Sequence, residues 1–208
     1  MGDETAKPAR SEQTGRRREI VDAASQIFRD KGYSATSIQD VAQAVDILKG
    51  SLYYYIDSKD DLLFEVIQDV HRNGLANLEE AKKVSGNALE KIHSFVAGHA
   101  SFNADNLAQM TVFFQDFKSL SEERRQVIVE ERDLYDKHLR ALIVAGQEEG
   151  SVLASVDPKI AAFWILGGMN WMYQWYRPDG SQSLEEITQA FAELAVNSVR
   201  DPDWQADE

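Results

Sequence analysis

Residues 36–63, TSIQDVAQAVDILKGSLYYYIDSKDDLL, constrain the fold more than any other stretch, because two short helical patterns meet there across a tight turn and run straight into a long capped helix. Thr36 followed three residues later by Gln39 reads as a capping box, and Ile38, Val41, Ala42 and Val45 recur at i, i+3, i+4, i+7 as one inward stripe. Asp46 comes next, one of the few non-glycine residues that tolerate a left-handed backbone. A second helix is expected from about Ile47. Winding residues 48–56 at about 100° per residue gathers Leu48, Leu52, Tyr55 and Ile56 in one sector and puts Gly50, Tyr53 and Tyr54 on the opposite side, flanked by Lys49 and Ser51. Ser58 then caps a helix whose Leu62, Leu63, Val66, Ile67 and Val70 form the buried stripe, with Lys59 in its first turn.

A solvated helix face normally carries Glu, Lys and Arg, so an outward face of Gly, Ser, Lys and two Tyr is better suited to a groove. Gly50 allows close backbone approach, Ser51 and Lys49 can bond base edges or phosphates, and Tyr53 and Tyr54 offer rigid rings tipped with hydroxyls. A helix N-terminus with a lysine beside it is a phosphate site, which adds Lys59, and Thr36 is placed likewise. Arg16, Arg17 and Arg18 lead into an upstream helix with Ile20, Ala24, Ile27 and Phe28 inward and Gly32 as its stop, so Arg17 is set for phosphates or a minor groove. The expected DNA-contacting set is Arg17, Thr36, Lys49, Gly50, Ser51, Tyr53, Tyr54 and Lys59. The competing reading is a helical ligand-binding or adaptor protein whose helical hairpin meets another protein, not DNA.

The net charge of −13 is at odds with DNA binding until it is divided along the chain. Residues 1–56 hold eight basic and eight acidic residues, so the remaining 14 basic and 27 acidic residues carry the whole imbalance. Acidic bulk away from the reader discourages non-specific adsorption and leaves binding to a few groups. The domain plan is a polar arm over 1–13 expected to be disordered, a reader over 14–57, a helical effector-binding and dimerisation domain over 58–203 and a tail over 204–208.

Every strong periodicity after residue 60 is helical, so the fold class is all-α, with helices expected near 59–83, 87–103, 106–118, 122–149, 158–176 and 184–200. Asp157-Pro158, the Ser183/Glu186 pair and Gly150 mark ends. From Ile160 to Tyr176 the chain is apolar on nearly every side, with Asn170 and Gln174 the main exceptions. At about 17 residues with two glycines and two amides it is short for a membrane span. It fits a helix that lines a cavity with one face and meets a second subunit with the other, and the Gly167-Gly168 pair permits close helix approach. Phe95, His99, Phe102, Met110, Phe113, Phe114 and Phe117, with Trp164, Trp171 and Trp175, form an aromatic-rich set expected to line a cavity for an apolar effector.

Catalysis and metal binding find no support. Cysteine is absent, and His71, His93, His99 and His138 are dispersed over three expected helices. Glu90-x-x-His93 is half of a di-iron helical site with no second copy. No nucleophile elbow, phosphate loop or signal peptide is present, so neither enzyme activity nor a cofactor is expected, and a cytoplasmic location is.

The run Lys49-Gly50-Ser51-Leu52-Tyr53-Tyr54-Tyr55-Ile56-Asp57-Ser58-Lys59-Asp60-Asp61-Leu62 resembles the DNA-binding signature of the TetR family of bacterial transcriptional regulators. It departs from that pattern with Asp46 at the usual turn glycine, Leu48 at the usual small polar cap and Ile56 at the usual Phe. The resemblance implies a homodimer on a palindromic DNA operator, released by a small-molecule effector, with the last two long helices pairing across the subunits. Gly167, Gly168, Tyr176, Phe191 and Leu194 would then lie at the dimer interface. Ile47-Leu48 and the stretch from Trp171 to Gly180 are similar to a subgroup that answers to acyl-coenzyme A thioesters of lipid or sterol breakdown, which puts Trp171 and Arg177 near ligand and dimer contacts.

Overall fold

The computed structural model describes residues 10–205, with side chains described from Thr14 to Gln205. Ten α-helices follow in order among the described residues: α1 Arg10–Lys31, α2 Ile38–Ala44, α3 Lys49–Leu52, α4 Lys59–Ala81, α5 Ala88–Asp105, α6 Leu107–Asp116, α7 Glu122–Glu149, α8 Pro158–Asn170, α9 Met172–Trp175 and α10 Leu184–Val199. A 3₁₀ turn, Phe117–Ser119, extends α6, and one isolated bridge joins Val152 to Arg200. The all-α reading holds, with most ends where local chemistry puts them. Ser58 caps α4 through the Asp61 amide, Asp157 caps α8 ahead of Pro158, Ser183 and Glu186 box α10, and Gly150 ends α7 at φ 83°. Asp46 takes the left-handed turn at φ 52°.

Several expectations are corrected. α1 begins at Arg10, inside the supposed arm, while residues 1–9 lie outside the described residues. The box that starts α2 is Ser37 with Asp40, one residue later than the Thr36/Gln39 pair. α3 is a single turn continued by tighter bonds from Tyr54 to Ser51 and Tyr55 to Leu52. Leu48, assigned to the inward sector, is 79% exposed, because it precedes the helix in extended conformation and makes no side-chain cap. The helix expected over 158–176 breaks at Trp171, where α8 gives way to the short α9. The supposed tail at 204 is anchored, since Trp204 packs on the core and Asp201 N–H donates to Ser151 O at 2.9 Å.

Two apolar cores stack along α4. The first gathers Ile20, Phe28, Val41 and Leu52 with Leu62, Leu63, Val66 and Ile67 of α4, and adds Val112 and Phe113 of α6, Leu120, and Ile128 of α7. The division expected at 57/58 therefore falls inside continuous packing. The second is centred on α5, against which α10 lies most extensively, with α4, α7, α8 and α9 around it. Arg124 at the start of α7 grips both Asp60 and Asp61 at the start of α4 and covers the Phe64 ring at 5.1 Å. The two cores thus share a helix and a charged clamp.

Candidate functional site

On the first core, Leu48, Lys49, Gly50, Tyr53 and Tyr54 form one exposed face, with Tyr54 83% exposed and Ser51 half-buried at its edge. A Cβ built on Gly50 meets nothing within 4 Å, so no packing inside the chain demands glycine there. The missing side chain leaves room there for an outside surface to come close to the backbone. Leu48, missed as a surface residue, joins this face, and an apolar side chain there can meet a thymine methyl.

The remaining expected DNA contacts are differently placed. Thr36 is buried and its hydroxyl donates to Gly32 O at 2.8 Å, leaving no hydrogen for a phosphate. The N-terminus of α2 already holds an anion: Asp40 Oδ2 accepts from Ser37 N at 2.7 Å and from Lys31 Nζ at 2.8 Å, and these bonds pull its carboxyl down to about 2. Arg17 pairs with Glu65 of α4, its Nε at 2.9 Å from Oε2, and Arg16 donates to Val45 O, bracing the turn between α2 and α3. Lys59 is half-buried, donates to Ser34 O at 3.4 Å and sits 4.2 Å over the Tyr33 ring, and burial lowers its pKa. These cations knit the reader together, whereas Lys49 projects from its exposed face.

Between the two cores lies a cavity of about 610 Å³. Of the residues expected around it, His99, Phe102, Met110, Phe113 and Phe114 line it, joined by Val70, His71, Asn103, Tyr135, Phe163, Leu166 and Asn170. Phe95 stands behind His99, its ring stacked at 5.9 Å, and faces a smaller hollow. Phe117 belongs to the first core, 5.5 Å from Phe113. Trp164, Trp171 and Trp175 do not line the cavity at all. Its rim carries Arg132, Lys137, Arg140 and Lys159 against Asp133 and Asp136, and Arg140 and Lys159 both lie over the Phe163 ring, at 5.2 and 5.8 Å. Sequence reasoning missed the rim, although its α7 members recur at helical spacing from Arg132 to Arg140.

Burial sets the electrostatics of the cavity wall. It pulls His71 and His99 down to about 4, so both imidazoles are neutral near pH 7. His99 Nε2 lies 3.4 Å from Asn170 Oδ1, and Asn103 Nδ2 donates to Met169 O at 3.3 Å. His71 Nε2, His99 Nδ1 and Asn103 Oδ1 are buried without a hydrogen-bond partner. Glu90, the residue that raised the half di-iron reading, accepts from Asn87 N in the capping box of α5.

The tryptophans instead lie on the outer face of α8 to α10. Ile160, Phe163, Trp164, Trp171, Trp175 and Leu194 are each more than 40% exposed, and a groove bordered by Phe163, Trp164 and Leu194 is floored by Gly167, Gly168, Phe191 and Ala195. Trp175 stacks on Phe191 at 6.1 Å. Of the expected interface set, Gly167, Gly168, Phe191 and Leu194 share this groove, but Tyr176 is buried inside the chain. Arg177 turns back onto Tyr176 O at 2.8 Å. An exposed apolar patch of this kind on so acidic a chain marks a surface made to be covered. Gly167 also borders the cavity, so α8 is the wall between cavity and groove.

An all-helical chain with an exposed helix-turn-helix face, a shielded cavity on the same long helix and an apolar outer face has the architecture of a ligand-sensing DNA-binding regulator. The chain belongs to the TetR family: residues 20–66 match the model for bacterial regulatory proteins of the tetR family, and residues 85–199 match the tetracyclin repressor-like C-terminal domain. It is 27% identical over 208 residues to the HTH-type transcriptional repressor KstR2 of Rhodococcus jostii, covering 92% of this chain and 95% of that one. The TetR family regulator PfmR of Thermus thermophilus superposes with a TM-score of 0.80 at 35% identity over 86% of this chain and 97% of its own. AibR, solved in complex with isovaleryl coenzyme A and operator DNA, gives 0.78 at 25% identity over 86% and 97%. Among the described residues no helix is long and apolar enough to cross a membrane.

Proposed function

We propose that this protein is a homodimeric transcriptional repressor that leaves its operator when an acyl-coenzyme A thioester occupies the cavity. The observation that carries the effector class is the rim. Four cations against two carboxylates surround the mouth of an apolar-walled cavity, in the part of the chain that is otherwise strongly acidic. An apolar acyl group suits the interior and a polyanionic carrier suits the rim. The isovaleryl coenzyme A bound by AibR supports the same class.

The exposed faces of α3 in two subunits would enter successive major grooves of a near-palindromic site, with Lys49, Gly50, Ser51, Tyr53 and Tyr54 at the bases or backbone. The apolar groove of α8 and α10 is the surface for the second subunit. The effector can act only through its different affinities for the DNA-bound and released states. α6 is placed to report it, since Phe113 lines the cavity and belongs to the first core, which includes α1.

The test is a gel-shift titration of the duplex upstream of the protein's own gene, with and without an acyl-coenzyme A series, over a range of salt. A two-half-site complex that weakens steeply with salt and dissolves with thioester is the expected result. A chain that binds no duplex at low salt would return the molecule to the adaptor reading.

A further inference from the structure

The cavity wall holds hydrogen-bonding capacity that an acyl chain made only of carbon and hydrogen leaves unused. His99 and Asn103 stand one turn apart on α5, on the same face. Asn103 gives its amide hydrogen to Met169 O, so its oxygen Oδ1 is left as an acceptor, buried and without a partner. His99 Nε2 faces the oxygen of Asn170, which places the imidazole hydrogen on Nε2 and leaves Nδ1 as a second unpartnered acceptor. Across the cavity on α4, His71 Nε2 is the third buried nitrogen or oxygen with nothing bonded to it. Three such atoms beside one cavity are unusual, because buried polar groups in folded proteins are nearly always satisfied.

We propose that the effector carries a hydroxyl group on the end it buries, and that His99 and Asn103 are the residues that select for it. The inference rests on the cavity being an effector site, and on the rim taking the thioester's anionic end. A hydroxyl donates its hydrogen to one of the α5 acceptors and accepts one from His71 in its Nε2–H form. A ketone or aldehyde can accept from His71 but has no hydrogen to give, so it leaves both α5 acceptors unpaired. A plain alkyl end leaves all three atoms dry and unpaired, at the penalty buried polar groups suffer. Burial keeps both imidazoles neutral near pH 7, so a carboxylate at the buried end finds no charged histidine there.

The experiment is titration calorimetry of the full-length protein with three matched thioesters: decanoyl-coenzyme A and its terminally hydroxylated and terminally oxidised aldehyde counterparts. The hydroxylated compound is expected to bind at least about tenfold more tightly than either of the others. His99→Phe and Asn103→Leu are each expected to bring the ratio of hydroxylated to unsubstituted affinity close to one. Equal affinities, or a preference for the alkyl or aldehyde compound, would overturn the proposal and assign the three atoms to trapped water. The ligand series on the unaltered protein decides this even if a variant fails to fold. The free acids, decanoate and its hydroxylated form, separate the two claims: hydroxyl preference among acids when no thioester binds would keep this inference and remove the coenzyme A reading, and no binding by any compound would remove both.

Discussion

Gly74 of α4 lies directly beneath Tyr135 of α7, and this contact gives a quantitative check on how the long helix passes the cavity. A Cβ added at position 74 would fall inside the contact distance of the Tyr135 hydroxyl oxygen, 3.1 Å from its Cζ and 3.3 Å from Phe102 Cε1. Tyr135 is buried and touches the His99 ring, with centroids 5.2 Å apart, so it cannot swing aside without disturbing the cavity wall. Overpacking of this kind costs roughly 1–3 kcal/mol. Against it stands the gain of about 1 kcal/mol from replacing glycine by alanine inside a helix. Gly74→Ala is therefore expected to destabilise the protein by up to about 2 kcal/mol, the difference of those two effects. Tyr135→Phe removes the oxygen that takes the worst of the clash. In that background the same glycine substitution should cost close to nothing, giving a coupling energy of up to about 2 kcal/mol between the two positions. The assay is urea unfolding at one fixed protein concentration, with all four proteins sharing one m-value. A stabilising Gly74→Ala, or an equal cost in both backgrounds, would refute the close packing of Gly74 of α4 against Tyr135 of α7.

Four further outcomes are expected. Tyr54→Ala should remove specific operator binding in a gel-shift assay while sedimentation still reports the same subunit number; unchanged DNA affinity would show that the exposed α3 face is not the reader. Leu48→Ser supplies the side-chain cap α3 lacks and should raise unfolding free energy by about 1 kcal/mol, as seen in denaturant melts, independently of its effect on DNA affinity. Arg124→Gln releases Asp60 and Asp61 from α7, so the effector-induced loss of operator affinity should shrink in a paired titration even where the loss of stability stays near about 1 kcal/mol. His71 and His99 have folded pKa values of about 4, below their unfolded value near 6.5, so the unfolded chain binds the extra protons. Their contribution is complete above about pH 6.5 and is lost as pH falls toward about 4. Unfolding free energy measured across that window should decline, and His71→Phe with His99→Phe should flatten the slope; a flat profile in the unaltered protein would place both imidazoles in water.

What the sequence determined by itself is local structure: most of the helices, the caps at Ser58, Asp157, Ser183 and Gly150, and the exposed face of α3. Ser58, Asp157, Ser183 and Gly150 act on amides and carbonyls within four residues, and the stripe from Leu62 to Val70 needs only the helical period, so both are legible without knowing any neighbour. The run from Lys49 to Tyr54 is similarly short range, although Leu48 shows the limit, because a residue just before a helix is not placed by winding the helix. What only the tertiary structure decided is which apolar side of α8 looks inward. A helix apolar on all sides carries no periodic signal to separate a cavity wall from an outer face, so the same pattern that suggested Trp164, Trp171 and Trp175 for the cavity could not show that they point away from it. The cationic rim, the polar atoms of His71, His99 and Asn103, and the sharing of Phe113 by the cavity and the first core all join residues on different helices. Those meetings are set by how α4 through α8 pack in space, which no spacing along one helix encodes.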